Sequence, residues 1–386
     1  MENGKISDTP KPEEIMPVDK RSKEWKDAHP NEPKRVLLTG AGGAIGVHVL
    51  AYILEHTNWE VVAVDSFKAE HKGFYDRLLA LSDLMPADLE AKIGGRLSIV
   101  VHDLRAPFTP REVEKIGDID YIVNLASRSD VSASLEANPS DPTGASADFV
   151  RNNTDLMLHM LDYARVAMPS VFLQFSTDEV YGPAPKDSGG HKEWEAILPS
   201  NPYSASKAVQ EALAIAWWRS YNVPLIITNT MNNFGETQAP SKFPALIQSK
   251  IEAGETIEIH GTHEGELGSR YYIHSRNTAD AIVFILKNIR PQLHGPGELD
   301  RPLRYNIVGD KQLDNKQLVE VISELMQKPA QCKVVNFHAF NPGHDLHYGL
   351  NGDALKEAGW HSPETFEEGM HRTIEWQRKH PDWMKK

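Results

Sequence analysis

Short apolar runs alternate with longer amphipathic segments through the first two thirds of the chain. This alternation predicts an α/β protein: a doubly wound parallel sheet with helices on both faces. The helices between the runs include 148–167 and 204–221. The predicted strands are 35–39, 60–64, 97–101, 120–125, 171–176 and 224–230.

After residue 230 the pattern becomes mixed, with shorter apolar runs between amphipathic helices. It predicts a smaller mixed α/β lobe over 231–386, from which some segments return to a main domain at 33–230. Residues 1–32 are polar with scattered prolines, so we expect a loose surface extension there. The predicted strands of the lobe are 256–260, 270–273, 304–308 and 333–337, and its predicted helices lie near 243–253, 277–289, 314–327 and 363–379.

Composition narrows the class of protein. The 386 residues are 40% hydrophobic and carry a net charge of −13, which argues against nucleic acid or an anionic membrane as a partner. No apolar run approaches the ~18 residues of a membrane span, and the N-terminus lacks the apolar core of a secretory signal. The only cysteine, Cys332, excludes an internal disulfide. We therefore expect a cytoplasmic protein.

A glycine-rich turn joins the first predicted strand to the helix after it. Residues 40–46 read Gly-Ala-Gly-Gly-Ala-Ile-Gly. Gly40 permits the tight turn, Gly43 lets a pyrophosphate approach the backbone, and Gly46 lets the helix pack close to the sheet. The helix N-terminus then faces the phosphates. This spacing, in a strand–turn–helix context, predicts a dinucleotide site in the domain at 33–230.

An acid at the end of the second predicted strand selects the dinucleotide. A carboxylate at Asp65 can accept hydrogen bonds from both ribose hydroxyls and repels a 2′-phosphate. The sequence therefore favours NAD over NADP, a preference that Lys68 nearby weakens.

Acid–base side chains cluster in two short segments. Tyr203 and Lys207 are four residues apart on a predicted helix, so both lie on one face. An ammonium beside a phenol favours the phenolate, which makes Tyr203 a candidate base near neutrality. Asp178 and Glu179 follow an apolar strand just upstream and add two carboxyls for further proton transfers.

With these motifs, the chain resembles the extended short-chain dehydrogenase/reductase superfamily over about residues 34–384. Residues 177–179, Thr-Asp-Glu, are the more specific match. They resemble the signature of the NAD-dependent nucleotide-sugar dehydratases, within the epimerase/dehydratase group, that dTDP-glucose 4,6-dehydratase typifies. Further matches are 40–46, 124–126 (Asn-Leu-Ala), Tyr203 with Lys207, and the C-terminal stretches 342–345, 359–360 and 373–376.

The resemblance implies a mechanism. Oxidation at C4 of a nucleotide hexose makes the C5 proton acidic, water leaves across C5 and C6, and hydride returns from the retained NAD to C6. Tyr203 would take the O4 proton, with Lys207 holding it ionised and Thr177 hydrogen-bonding to O4. Glu179 would be the C5 base and Asp178 the acid for the 6-hydroxyl, although spacing alone does not distinguish these two.

The resemblance also implies binding positions. Asp103 falls on the family's adenine contact, Arg270 on its diphosphate contact and Asn306 on a nucleotide-side asparagine, while Asn153 matches an asparagine that supports the site. His344 and His347 have no third ligand at fitting spacing, so no metal is predicted. The other cofactor-binding positions would be Gly40, Gly43, Ala44, Ile45, Gly46, Asp65, Leu104, Leu125, Ala126, Tyr203 and Lys207, and the other substrate-binding positions Ser127, Arg128, Asn232, Asn233, His344 and Asp345.

Two helices, 148–167 and 204–221, match those that form the family's dimer interface as a four-helix bundle. The resemblance therefore implies a homodimer. The apolar candidates for its surface are Leu156, Met160, Leu213, Trp217 and Trp218.

Three segments depart from the family's pattern near the expected substrate: 127–132, 139–148 and 235–238. They leave the base and the sugar of the substrate open: UDP, GDP or CDP sugars, or an N-acetylhexosamine, are alternatives to dTDP-glucose. A 4-epimerase or a C6 decarboxylase would use the same Tyr203 and NAD, and Arg128 is the cation a decarboxylase would need. The third alternative is a non-catalytic NAD-sensing protein, against which the intact acid–base residues argue.

Overall fold

The predicted apolar runs pair into one parallel sheet. The computed structural model describes residues 33–67, 95–135, 145–184, 188–295, 301–336 and 345–384, and the predicted N-terminal extension at 1–32 lies outside them. The strands are β1 (Arg35–Thr39), β2 (Glu60–Asp65), β3 (Leu97–Val101), β4 (Tyr121–Asn124), β5 (Val171–Thr177), β6 (Leu225–Thr230), β7 (Asn232–Phe234), β8 (Thr256–Gly261), β9 (Ser269–His274), β10 (Leu303–Ile307), β11 (Lys311–Asp314) and β12 (Gln331–Asn336).

The central sheet has seven strands in the order β10-β6-β5-β4-β1-β2-β3, and every neighbouring pair runs parallel. The chain runs outward from β1 to β3 and then returns past β1 to β4. The predicted doubly wound fold is therefore confirmed. The winding direction reverses between β1 and β4, and the crevice at the carboxyl ends of such strands is where open α/β sheets bind ligands.

Helices cover both faces of the sheet. Val36 and Leu38 of β1 belong to one buried core and Leu37 to the other, because successive strand residues point to opposite faces. The first core is closed by the helices at 44–56 and 275–288, and the second by those at 145–167 and 202–221. The helices are α1 (Ala44–His56), α2 (Pro110–Ile116), α3 (Val131–Leu135), α4 (Ala145–Ala167), α5 (Pro202–Tyr221), α6 (Phe243–Ala253), α7 (Ser275–Asn288), α8 (Asn315–Met326), α9 (Asp353–Glu357) and α10 (Phe366–Lys379).

The helices α4 and α5 correct the predicted dimer surface. Leu156 and Met160 on α4, and Trp218 on α5, are buried in the core of the chain itself. They fill the space between helix and sheet, so they are not available to a second subunit. Leu213 and Trp217 are only half-buried on α5, and the homodimer stays a prediction.

The C-terminal third forms smaller units. Strands β7, β9 and β11 make a three-stranded sheet, β8 pairs with β12, and β10 joins the central sheet beside β6. The predicted helices and strands of this region are confirmed to within a few residues at their ends. The short strands β7 and β11 were not predicted, because three or four residues show no periodicity. Of the helices in the described ranges, none combines the length and apolar character that spanning a membrane requires.

Candidate active site

The glycine-rich turn lies between the end of β1 and the start of α1, at the switch point of the sheet. Gly40 has a φ of +67°, and a Cβ there would lie 2.9 Å from the backbone nitrogen of Ala126. A Cβ on Gly46 would lie 2.0 Å from the Gly40 carbonyl oxygen. A side chain is thus excluded at Gly40 by backbone conformation and at Gly46 by the close packing of α1 on the turn.

Gly43 is the N-cap of α1. A Cβ at this position would meet the Gly40 carbonyl oxygen at 3.1 Å, so the turn itself nearly tolerates a side chain. The N–H groups of Ala44 and Ile45 follow in the first turn, where an α-helix leaves its N–H groups without intrahelical partners. This end of the helix therefore suits an anion such as a pyrophosphate.

Asp65 ends β2 beside the glycine-rich turn. Its carboxylate accepts hydrogen bonds from the backbone N–H groups of Gly42 and Phe67, both at 2.8 Å. These bonds fix the carboxylate next to the first turn of the dinucleotide helix. The glycines, the helix N-terminus and Asp65 together fit a dinucleotide without a 2′-phosphate. Lys68 lies outside the described residues.

The other predicted cofactor contacts follow β3 and β4. Ala126, after Leu125, donates its N–H to the Thr39 hydroxyl at 3.2 Å, which seats this segment against the glycine-rich turn. Leu104 is buried. The carboxylate of Asp103 is paired with Arg105 at 2.6 Å. The adenine contact assigned to Asp103 stays a prediction.

A short 3₁₀ turn places two carboxyls at the carboxyl end of β5. It covers Asp178–Tyr181, immediately after the strand ends at Thr177. The Thr177 hydroxyl donates to Oδ1 of Asp178 at 2.9 Å and accepts from the N–H of Glu179 at 3.4 Å. The hydroxyl thereby fixes the backbone that carries both acids.

Helix α5 brings Tyr203 to the same place. Asn201 is its N-cap: the Asn201 side chain accepts from the N–H of Ser204 at 2.9 Å, and the Ser204 hydroxyl accepts from the N–H of Asn201 at 3.1 Å. This capping box and Pro202 at the first position explain why the helix begins here. The Asn201 amide also donates to Glu179 at 3.2 Å. The residue that begins the helix therefore also positions one of the two acids.

The Tyr203 phenol is buried beside the acids. Burial and the charges of Glu179 and Asp178 raise the pKa of Tyr203 far above its usual range, and a hydrogen bond with Thr177 opposes the rise. Burial and the two carboxyls oppose the phenolate that the sequence predicts, and the role of Tyr203 as a base near neutrality stays a prediction.

The Lys207 ammonium is directed elsewhere. It donates to the backbone oxygen of Phe175 and to the amide oxygen of Gln210, both at 2.8 Å. Burial lowers the pKa of Lys207 from 10.5 to about 8, while the Glu211 carboxylate opposes the change. The lysine therefore titrates close to physiological pH.

The two acids are both shifted towards their protonated forms. Burial raises the pKa of both Asp178 and Glu179, and the charge of Asp178 raises that of Glu179 further. Arg270 lowers both, but by less than burial raises them. Each carboxyl is therefore protonated more readily than a solvent-exposed one. Oδ2 of Asp178 is buried without a hydrogen-bond partner among the described residues, so it is an acceptor or donor that a ligand can satisfy.

Asn153 ties the segment after β4 to the catalytic helix. It is fully buried, its Oδ1 accepts from the N–H of Arg128 at 2.9 Å, and its Nδ2 donates to the Ser206 hydroxyl at 2.8 Å. Ser206 lies between Tyr203 and Lys207 in sequence. The side-chain amide of Asn153 thus connects the segment that contains the predicted substrate residues Ser127 and Arg128 to α5.

Arg270 and Asp345 border the carboxyl pair, since both affect the pKa of Glu179. The Arg270 guanidinium lies over the Tyr348 ring at 4.9 Å, and the Asp345 carboxylate accepts from the Ser200 hydroxyl at 2.8 Å. Two predicted substrate residues therefore lie close enough to the two acids to affect their charge.

The remaining predicted substrate residues are placed differently. Asn306 is fully buried and donates to the backbone oxygens of His191 and Asn351 at 3.0 and 2.9 Å. Its contact with a nucleotide stays a prediction. Asn232 is exposed, Asn233 is half-buried, and His344 lies outside the described residues.

A protein-family model described as the NAD dependent epimerase/dehydratase family matches residues 36–307. The match covers well over half of the chain and spans the glycine-rich turn, both acids and Tyr203. The chain belongs to this family. NAD is therefore its cofactor.

Several relatives of this chain are named dehydratases. A probable dTDP-glucose 4,6-dehydratase of Sinorhizobium fredii is 30% identical over 372 residues, which cover 90% of this chain and 94% of that protein. A trifunctional UDP-glucose 4,6-dehydratase/3,5-epimerase/reductase of Arabidopsis thaliana is 29% identical over 91% of this chain and 48% of its own length. The crystal structure of a dTDP-glucose 4,6-dehydratase from Streptomyces venezuelae, with NAD bound, has a TM-score of 0.73 at 27% identity, and the match covers 90% of this chain and 98% of that one.

In this member of the epimerase/dehydratase family, four residues at the candidate site were not predicted from the sequence: Asn201, Gln210, Ser134 and Gln174. Asn201 carried a readable signal, since Asn-Pro-x-Ser before a helix is a capping pattern. Gln210 lies three residues after Lys207, which is neighbour spacing on a helix. Ser134, whose hydroxyl accepts from the N–H of Tyr203 at 3.3 Å, and Gln174 gave no signal, because only the fold brings them to α5.

Proposed function

We propose that the chain is an NAD-dependent nucleotide-sugar 4,6-dehydratase, a lyase that converts an NDP-hexose to the NDP-4-keto-6-deoxyhexose. The observation that carries the proposal is the carboxyl pair at the end of β5 beside Tyr203, in which Asp178 is buried and Glu179 is half-buried. Loss of water needs a base for the C5 proton and an acid for the 6-hydroxyl, in addition to the base for O4. The named activities of the relatives from Sinorhizobium fredii and Arabidopsis thaliana support the same reaction.

The chain's own residues carry out the proton transfer that accompanies oxidation at C4. When bound, NAD supplies a positively charged hydride acceptor for C4 and later the hydride for C6. Tyr203 must first lose its own proton to solvent, which the positive charges of bound NAD and of Lys207 favour. Its phenolate then takes the proton of the O4 hydroxyl, and Thr177 hydrogen-bonds to Tyr203. Lys207 supplies a positive charge on the same helix. Gly43 and Asp65 hold the pyrophosphate and the ribose.

Elimination needs the carboxyl pair in a defined protonation state. Glu179 takes the C5 proton as a base, and Asp178 gives a proton to the departing 6-hydroxyl. Burial raises the pKa of both carboxyls, so either can hold a proton closer to neutrality than a solvent-exposed carboxyl can. The acid and base roles are accordingly assigned by the family resemblance, and the variants in the Discussion test them.

No comparable observation supports the three alternative functions, which are a 4-epimerase, a decarboxylase and an NAD sensor. A 4-epimerase needs no C5 base, which leaves a second and third acid–base group unexplained. A decarboxylase needs a cation for its uronate, but Arg128 pairs with Asp148 at 3.1 Å and lies over the Phe149 ring at 4.5 Å. An NAD sensor needs none of the acid–base residues.

The organisation of the chain belongs to the same proposal. We assign 33–230 to the NAD-binding Rossmann domain and 231–386 mainly to the substrate-binding lobe, with β10 returning to the sheet. The enzyme acts in the cytoplasm as a homodimer, with α4 and α5 at the interface through their outer faces. Light scattering at micromolar concentration tests the dimer, and a monomer mass contradicts it.

Incubation of the purified, NAD-loaded protein with a panel of nucleotide sugars tests the activity. The panel contains glucose and N-acetylglucosamine as dTDP, UDP, GDP and CDP derivatives where available, together with UDP-glucuronate. We expect a product lighter by one water. Loss of carbon dioxide identifies a decarboxylase, and an epimer of unchanged mass identifies an epimerase; either result overturns the proposal.

A further inference from the structure

A chain of buried side-chain hydrogen bonds runs from the end of β1 to the catalytic lysine. The Thr39 hydroxyl donates to Asn124 at 2.7 Å, Asn124 donates to Gln174 at 2.8 Å, and Gln174 donates to Oε1 of Gln210 at 3.3 Å. The Lys207 ammonium donates to the same Gln210 oxygen at 2.8 Å. None of the five side chains belongs to a residue more than 4% exposed.

The direction of these bonds is determined by their ends. The Lys207 ammonium can only donate, and the backbone oxygens of Asn153 and Phe175 can only accept. Oε1 of Gln210 must therefore face Lys207, while its Nε2 donates to Asn153 at 2.8 Å. The Nε2 of Gln174 likewise donates to Phe175 at 3.1 Å, which leaves its oxygen for Asn124. Rotating either glutamine amide would set two donors or two acceptors against each other, so Gln210 is held in one orientation.

We propose that Gln210 is a positioning residue that holds Lys207 in place and in its ammonium form. The inference rests on the proposed function, in which Lys207 acts as a cation beside Tyr203. A neutral lysine would satisfy Gln210 and Phe175 with its two remaining protons but would carry no charge for the reaction.

The surroundings of Lys207 explain why one amide oxygen matters. Burial already lowers the pKa of Lys207 to about 8, so a modest change in its acceptors alters its charge near neutrality. The charged group that faces it is Glu211, on the same helix. The Glu211 carboxylate is itself bound by Arg304 at 2.7 Å and by Asn229 at 2.9 Å. The oxygens in direct contact with the ammonium are those of Phe175 and Gln210.

Two variants of opposite effect test the proposal. Gln210→Met removes the acceptor at similar volume, so the pKa of Lys207 should fall. The alkaline limb of the pH–activity profile should then shift to lower pH by about one unit. Gln210→Glu places a carboxylate at the same position, so the alkaline limb should shift to higher pH by a similar amount, although the hydrogen bond to Asn153 is lost. Gln377→Met, at a buried glutamine on α10, is the matched control and should leave the limb unchanged.

Two readouts separate this proposal from the proposed function. One is the pH profile of kcat on the best nucleotide sugar, and the other is NAD affinity against pH, by calorimetry, which should weaken as Lys207 loses its proton. Opposite shifts for Gln210→Met and Gln210→Glu support the inference. Lowered melting temperatures with unmoved pH midpoints mean a purely structural role and overturn it. If no sugar is turned over, the proposed function fails while the NAD readout still decides the role of Gln210.

Discussion

The Cβ position of Gly46 lies 2.0 Å from the carbonyl oxygen of Gly40. A methyl group cannot fit there unless α1 moves away from the turn, whereas one on Gly43 would meet the same oxygen at 3.1 Å and fit with a small adjustment. Gly46→Ala should therefore cost about 1–3 kcal/mol of unfolding free energy in urea and weaken NAD binding through the displaced helix.

Gly43→Ala is the matched variant for that experiment. It should change stability little but lower NAD affinity at least about tenfold by calorimetry, since the methyl group occupies the space where the pyrophosphate meets the backbone. If Gly43→Ala binds NAD as tightly as the parent protein, the pyrophosphate does not approach the helix here.

Asp65 should set the preference for NAD over NADP. Asp65→Asn removes the charge and keeps an acceptor for the N–H of Gly42, so NADP should bind more tightly while NAD loses only part of its affinity. Asp65→Ala should weaken NAD more, because both backbone hydrogen bonds to the carboxylate are lost. Calorimetry with each dinucleotide measures the ratio, and equal affinities for the parent protein would contradict this role.

Tyr203 and Glu179 should act in successive steps. Tyr203→Phe removes the O4 base, so no NADH signal near ~340 nm should appear on mixing with the correct sugar. Glu179→Gln leaves that base intact, so bound NADH should accumulate while exchange of the C5 hydrogen with solvent is lost. Wild-type turnover by Glu179→Gln would favour an epimerase, which needs no C5 base.

Asp178 should serve only the departure of the 6-hydroxyl. Asp178→Asn keeps an oxygen for the Thr177 hydroxyl and removes the acid. We expect C5 exchange to continue while net dehydration slows by about 10²–10⁴-fold. Exchange measured by mass spectrometry in deuterated water distinguishes the two. Loss of exchange in Asp178→Asn, with exchange retained in Glu179→Gln, would reverse the two assignments.

The buried Lys207 should leave a signature in the pH dependence of stability. Its pKa falls from 10.5 in a free chain to about 8 in the folded protein, so between these pH values the unfolded chain binds the extra proton. Stability from this group therefore rises with pH through that window. Relative to Lys207→Met, the parent protein should gain about 3 kcal/mol of unfolding free energy from pH 8 to pH 10.5. Parallel urea-unfolding curves for the two proteins across the window would mean that the lysine is not titrating there.

The fold and the positions of the main candidate site residues could be predicted from the order of the amino acids alone. Apolar runs of strand length predicted the six N-terminal strands of the sheet, because parallel strands buried on both faces are apolar throughout. The glycine-rich turn and Asp65 could be identified from the sequence because each lies a fixed number of residues from the end of a predicted strand. Tyr203 and Lys207 were readable because four residues make one helical turn.

The environment of those residues depends instead on how the elements pack in the folded chain. The sequence predicted an ionised Tyr203, but the fold buries the phenol beside two carboxyls that come from another element, which raises its pKa. Helical spacing placed Leu156 and Trp218 on a face without saying whether that face meets the sheet or a second subunit. Gln174 reaches Gln210 only because β5 packs under α5. Periodicity reports which side of an element is apolar, whereas desolvation and hydrogen bonds between distant residues depend on how the elements are brought together.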